Sequence, residues 1–299
     1  MISKSEIKNI PLSGNIDFRQ RKIEKEHSAL LIIDLQKAEY NKKNILDKPD
    51  DRYMWDRIAN TVIPNGQELI NACRKNKIEV IYTVIESLTD DGRDSGLDYK
   101  ISGLCIAKNS EGAQVIDELK PLKNEIIIPK TSSSVFNSTN IEYVLRNLSI
   151  QYLMIMGIVT DQCVETAVRD GCDKGFLITL IDDACATHTE SRHNNSLSAI
   201  KGYCRIRNTE DLLKEINNQF IMQQLPNFTL SLIDGSILKS SAITSKTILF
   251  FYPKAMTPGC TVEVNEFQSN LNKFQKLGFT IIGCSKDSIE NNIKFSEKY

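Results

Sequence analysis

Long apolar runs are missing from this 299-residue chain. None approaches the roughly 20 residues that a bilayer-spanning helix needs, so no membrane association is expected. An excess of either charge is missing too. With 37 basic and 38 acidic residues, a net charge of −1 and a pI near 6.4, the chain has no footprint for nucleic acid. The N-terminus brings Lys4, Glu6 and Lys8 close together and has no apolar core like that of a signal peptide, so a cytoplasmic location is the expectation. Histidine is scarce. His27, His188 and His193 are the whole complement, none at a metal-ligand spacing with cysteine or aspartate, and neither a metal nor another cofactor is expected. The eight cysteines (Cys73, Cys105, Cys163, Cys172, Cys185, Cys204, Cys260 and Cys284) form no C-x-x-C pair, which argues against a disulfide framework and a structural zinc site. There is no internal repeat and no low-complexity segment.

What is present is a globular composition, 41% hydrophobic and 25% charged, on a chain long enough for one large or two ordinary domains. After a polar lead-in over 1–26, short apolar runs at 29–34, 77–85, 125–129, 152–156 and 176–181 read as strands. Helical patterns at 64–76, 140–148, 164–174, 192–203 and 209–220 separate or follow them. That alternation predicts a parallel sheet covered by helices on both faces. A long polar loop spans 89–103, and loops of that length inside a compact domain tend to be functional. The pattern restarts after Phe220, with strands at 225–232, 246–252 and 279–284 and helices from 261 and 288. Two domains are therefore expected, 1–221 and 222–299, with the boundary near Met222 to Gln224. The oligomeric state is left open, a homo-oligomer included.

The most informative stretch runs from Met154 to Asp170. An apolar strand gives way at Gly157 to a helical pattern, and Cys163 stands at the junction. A thiol there meets unpaired N–H groups and the positive end of a helix dipole, both of which favour thiolate. Free cysteine is also among the most buried residue types, so the stretch alone does not separate a nucleophile from a core thiol. Two charged residues at the ends of other apolar runs favour the nucleophile. Asp34 ends the run that starts at Ser28, and Lys130 ends the run Glu-Ile-Ile-Ile-Pro-Lys. Carboxyl ends of parallel strands line one edge of a sheet, so acid, lysine and thiol are expected in one cleft.

Asp34 after its strand, Lys130 after Ile-Ile-Ile-Pro, and Gly-Ile-Val-Thr-Asp-Gln-Cys-Val over 157–164 together resemble the three signatures of the isochorismatase-like cysteine hydrolases. The resemblance covers about the first 220 residues. It implies a catalytic set of Asp34, Lys130 and Cys163, with a small amide, ureido or carbamoyl substrate cleaved at a C–N bond through a thioester. Thiolate is a strong nucleophile, an adjacent carboxylate can carry its proton, and a fixed cation lowers its pKa. The family's oxyanion donors are main-chain N–H groups beside a non-proline cis peptide, which by motif match fall on Val159 and Cys163. Nicotinamidases of this superfamily hold a metal through histidines between the acid and the lysine. None occurs between Asp34 and Lys130, so the resemblance does not extend to them. Arg93 and Tyr99, on the long loop, could read a carboxylate or ureido group.

The second region resembles another family. Tyr-Pro-Lys-Ala-Met-Thr-Pro-Gly-Cys-Thr-Val-Glu over 252–263 is similar to the active-site loop of peroxiredoxins, nearest the bacterioferritin-comigratory type. Leu225 to Leu230 and Ile281 to Ser288 fit the same family. The resemblance implies a partial thioredoxin-like α/β domain, a peroxidatic Cys260 served by Thr257 and Pro253, and thioredoxin as a reducing partner. Asn265 stands where that type often has a resolving cysteine, and Cys284 reads as a strand residue. The family domain runs on past the position of Tyr299, with further strands and an arginine that lowers the thiol pKa. Hydrolysis at Cys163 is the leading expectation. Peroxide reduction at Cys260, or a redox-sensing fusion whose second domain is not independently active, stands as the alternative.

Overall fold

A computed structural model of the chain describes residues 16–40, 52–217, 227–243 and 246–298, together with 8, 10 and 14. The expected boundary near Met222 to Gln224, and the Leu225-Pro226 pair, lie outside the described residues. The chain divides into two compact units, Met1–Ile221 and Met222–Tyr299.

The first unit is built on six parallel strands: β1 (Ser28–Ile33), β2 (Glu79–Ile85), β3 (Ile126–Lys130), β4 (Tyr152–Ile158), β5 (Leu177–Ala186) and β6 (Arg205–Arg207). Their order across the sheet is β3-β2-β1-β4-β5-β6. Side chains alternate between faces along a strand. In β1, Leu30 and Ile32 join one buried cluster, while Ala29, Leu31 and Ile33 join another. The first cluster takes Trp55, Val62, Leu69 and Cys73 from α1 (Arg52–Arg57) and α2 (Ile63–Lys75) and the turn between them, and Leu212 from α8 (Thr209–Ile216). The second takes Phe136 from α4 (Val135–Ser138), Leu145 from α5 (Ile141–Asn147) and Val168 from α6 (Glu165–Asp173). Helices therefore cover both faces. This is why the central strands read as unbroken apolar runs rather than as alternating ones.

The strand order reverses between β1 and β4, and a crevice forms beyond the carboxyl ends at such a switch point. Gly157 permits the close approach there. A Cβ on it would lie 2.1 Å from the Ile33 carbonyl oxygen, and its φ of 128° is one that only glycine adopts readily. The long loop is partly ordered by α3 (Leu97–Ile101), and α7 (Glu190–Ile200) follows β5.

Several boundaries differ from the sequence expectation. The helix expected from Pro64 starts twelve residues earlier, at Arg52, because a π-turn over Ile58–Val62 precedes the proline and the chain stays helical through it. Strand β5 runs on through Asp182 and Asp183 to Ala186. Their polarity suggested a strand end, but the Asp182 carbonyl accepts from Arg57 and the Asp183 carboxylate caps Thr209, so both are used inside the fold.

The second unit has an antiparallel pair, β7 (Thr229–Ser231) with β8 (Ile237–Lys239), and a parallel pair, β9 (Lys246–Phe251) with β10 (Phe279–Cys284). Helix α9 (Pro258–Lys276) joins the parallel strands and α10 (Ile289–Lys298) follows. Tyr252, Ala255, Cys260 and Phe295 form its small buried cluster.

Candidate active site

Three strand ends deliver the predicted residues to one point. Asp34 follows β1, Lys130 closes β3, and Cys163 lies in a π-turn, Thr160–Val164, between β4 and α6. Lys130 Nζ is 2.9 Å from Asp34 Oδ2 and 3.4 Å from Cys163 Sγ. It also donates to Tyr99 Oη at 3.1 Å and to the Ser132 carbonyl at 2.9 Å. Lys130 is wholly buried, and Asp34 and Cys163 are only 2% and 5% exposed. Thr83 Oγ1, from the neighbouring strand, donates to Asp34 Oδ1 at 2.8 Å. Asp34 Oδ2 meets Lys130 as an ion pair but accepts no well-angled hydrogen bond, which leaves a lone pair for a proton. Asp34 holds this position with a φ of 55°, a conformation that short polar side chains tolerate better than most.

The electrostatics correct one expectation. A junction thiol beside a lysine was expected to have a lowered pKa. Instead burial, followed by the Asp34 charge, pushes the Cys163 thiol up to about 11, and Lys130 only partly offsets them. The lysine moves the other way. Burial alone would lower it, but the Asp34 charge and then Cys163 and Tyr99 hold it above the ordinary lysine value. Burial likewise raises the Tyr99 phenol. The resting arrangement is thus a neutral thiol beside a carboxylate–ammonium pair. Thiolate would form by proton transfer to Asp34 rather than stand ready.

The cluster opens into a cavity of about 620 Å³, which Asp34, Tyr99 and Cys163 line together with apolar Ile85, Leu104 and Ile158. Val159 lines it as well, and the Ile158–Val159 peptide is cis. Arg93 does not line the cavity. It lies exposed ahead of α3, on the solvent side of the loop, and pairs with Asp91 at 3.0 Å. Tyr99 is drawn inward, 3.9 Å from Cys163 Sγ, so it touches the thiol as well as Lys130. Sequence reasoning missed Thr83 and the cavity-lining Glu39, Asp98, Gln162 and His188. Thr83 did leave a signal, a lone hydroxyl near the carboxyl end of an apolar strand. Gln162 stands beside Cys163 inside the motif, whereas Glu39 and His188 sit outside regular elements and Asp98 in the short helix α3, with no pattern to mark them.

In the second unit, Cys260 is buried in the first turn of α9, just after the helix cap Thr257. The Thr257 hydroxyl donates to the Lys254 carbonyl at 3.2 Å, and Pro253 is exposed. Cys284 ends β10, and burial raises its thiol pKa.

Known proteins share both parts of the chain. Residues 28–211 match the isochorismatase domain family, and residues 221–299 match the AhpC/TSA family. An uncharacterized isochorismatase family protein of Bacillus subtilis (strain 168), YddQ, is 27% identical over 117 residues. The match takes in 36% of this chain and 65% of that relative, just short of two thirds of its length. A cysteine hydrolase from Pseudomonas syringae pv. phaseolicola 1448A superposes with a TM-score of 0.59 at 22% identity, over 67% of this chain and 97% of its own. An N-carbamoylsarcosine amidase from Thermoplasma acidophilum does so with a TM-score of 0.50 at 21% identity, over 61% of this chain and 96% of its own. At these identities the structural likenesses establish the fold.

Proposed function

The chain belongs to the isochorismatase family, and from that membership we propose that it is a metal-independent cysteine hydrolase acting on a small amide, ureido or carbamoyl compound. One observation carries the reading: a single buried ammonium, Lys130 Nζ, holds both a carboxylate and a thiol at the wall of a cavity of small-molecule size. Asp34 takes the thiol proton as Cys163 Sγ attacks the carbonyl carbon, forming the C–S bond. The oxyanion is met by the main-chain N–H groups of Val159 and Cys163. Asp34 returns the proton to the leaving nitrogen as the C–N bond breaks. It then deprotonates the water that opens the thioester and gives that proton back to the thiolate. Lys130 stays charged throughout and keeps the changing negative charge within reach of one cation. Tyr99 orients the ammonium.

No arginine or lysine lines the cavity among the described residues, and the Asp98 carboxylate does, so a neutral substrate is met better than an anionic one. The test is an ammonia-release screen over neutral primary amides, ureas and carbamoyl compounds, with Cys163→Ala as control. Turnover that survives in Cys163→Ala at the wild-type rate would rule out the covalent route.

A second reading attaches to Cys260, buried at a helix start behind Thr257 in a region matching the AhpC/TSA family. It is peroxide reduction, in which Sγ attacks one peroxide oxygen, water or an alcohol leaves, and the sulfenic acid is returned to thiol by a dithiol such as thioredoxin. Hydrogen peroxide consumption with thioredoxin, lost in Cys260→Ser, tests it. No consumption by the wild type would sink it.

A further inference from the structure

The turn that carries Cys163 is fastened by groups that the chemistry above does not use. Thr160, its first residue, is fully buried, and its Oγ1 lies 2.9 Å from His193 Nδ1 on α7. The other ring nitrogen, Nε2, lies 3.1 Å from Arg57 Nη2. A guanidinium can only donate, so Nε2 is the acceptor and the proton of the neutral ring sits on Nδ1, directed at Thr160. Arg57 is itself fixed by donating to the carbonyls of Cys185 at 2.8 Å and Asp182 at 2.9 Å. Burial and the Arg57 charge hold the imidazole neutral. One residue further along the turn, the Asp161 carboxylate accepts from Thr187 at 2.6 Å and pairs with Arg192 at 2.5 Å. Neither His193 nor Arg57 lines the cavity, so neither is placed to touch a substrate there.

We propose that His193 is a positioning residue for Cys163: its Nδ1–H···Oγ1 bond to Thr160 fixes the turn, and through it the place of Sγ beside Lys130. The proposal rests on the reading of Cys163 as the nucleophile. The contact it protects is the 3.4 Å approach of Lys130 Nζ to Sγ. A displacement of about 1 Å in a reacting group can cost on the order of a hundredfold in rate.

Two conservative variants separate this role from simple packing. In His193→Asn the amide overlaps Nδ1, keeping the donor to Thr160 and giving up Arg57. In His193→Gln the amide overlaps Nε2 and does the reverse. His193→Ala should lower kcat for ammonia release about tenfold or more with KM nearly unchanged. Asparagine should restore most of it and glutamine should not. Thr160→Val cuts the same bond from its other end, and the double variant with His193→Ala should lose no more than either alone. It also carries the test if His193→Ala does not fold. The same order should appear without any substrate, as the rate of Cys163 alkylation by iodoacetamide read by mass on its peptide. Alkylation in the predicted order supports the role of His193 even if no amide is turned over, which would sink the hydrolase reading alone. Glutamine restoring as well as asparagine, or His193→Ala alkylating within about twofold of wild type, overturns the proposal.

Discussion

Replacing Asp34 by asparagine should make Cys163 more acidic while abolishing hydrolysis. The two legs through Lys130 Nζ, 2.9 and 3.4 Å, bound the Asp34 Oδ2 to Cys163 Sγ separation at about 6 Å. Even at that outer limit a unit charge, with an effective dielectric near 20, is worth about 3 kcal/mol, or about two pKa units. Deleting the carboxylate removes a like-charge penalty, so the thiol should fall from about 11 toward roughly 9, with Lys130 now facing the thiolate alone. A less basic thiolate is a weaker nucleophile, so the gain in alkylation near neutral pH shrinks from about a hundredfold to about tenfold. Asparagine is the right replacement because it tolerates the φ of 55° at this position. The variant should also be less stable, since a buried lysine that loses its carboxylate costs about 3–5 kcal/mol. The assay is the pH profile of iodoacetamide alkylation at Cys163, followed by peptide mass because seven other cysteines compete. A thiol titration that stays put or moves upward in Asp34→Asn would refute the electrostatic account of the site.

Three further outcomes are expected. Prolonged chelation should leave turnover unchanged, because no histidine stands between Asp34 and Lys130 to hold an ion there; loss of activity restored by one metal would contradict this. Gly157→Ala should cost more than about 4 kcal/mol in a urea titration of the first unit, since the new Cβ meets main chain in β1; a cost under about 1 kcal/mol would mean that the strands can part. His193 titrates near 4 in the folded chain against 6.5 ordinarily, through burial and then Arg57. The unfolded chain therefore binds the extra proton between those values, so this stability is present above about pH 6.5 and lost as pH falls toward 4, by up to about 3 kcal/mol. Urea midpoints at pH 7 and 4.5 should converge in His193→Asn, and an unchanged pH dependence would assign the effect to other groups.

The parts of the site that the sequence made legible are those tied to strand ends. Asp34, Lys130 and Cys163 each follow an apolar run, and a parallel sheet brings the carboxyl ends of its strands together whatever the chain separation. The apolar runs were readable because both faces of the sheet are covered, which removes the alternation that would blur their limits. Residues that act from loops or from helices packed at a distance left no such trace. Arg93 and Tyr99 lie six residues apart on one loop, yet only Tyr99 reaches the thiol, because the short helix that turns it inward has no periodicity long enough to read. The thiol pKa escapes the sequence for a related reason. A motif shows which charges are near a cysteine, whereas burial depends on the whole fold, and at Cys163 burial outweighs the lysine. His193 is the extreme case. It lies 30 residues from Cys163 in the sequence, and its partners Arg57 and Thr160 come from two other elements, so only the folded chain shows what it holds. At Cys163, too, the sequence marks the residue, and packing decides its protonation state.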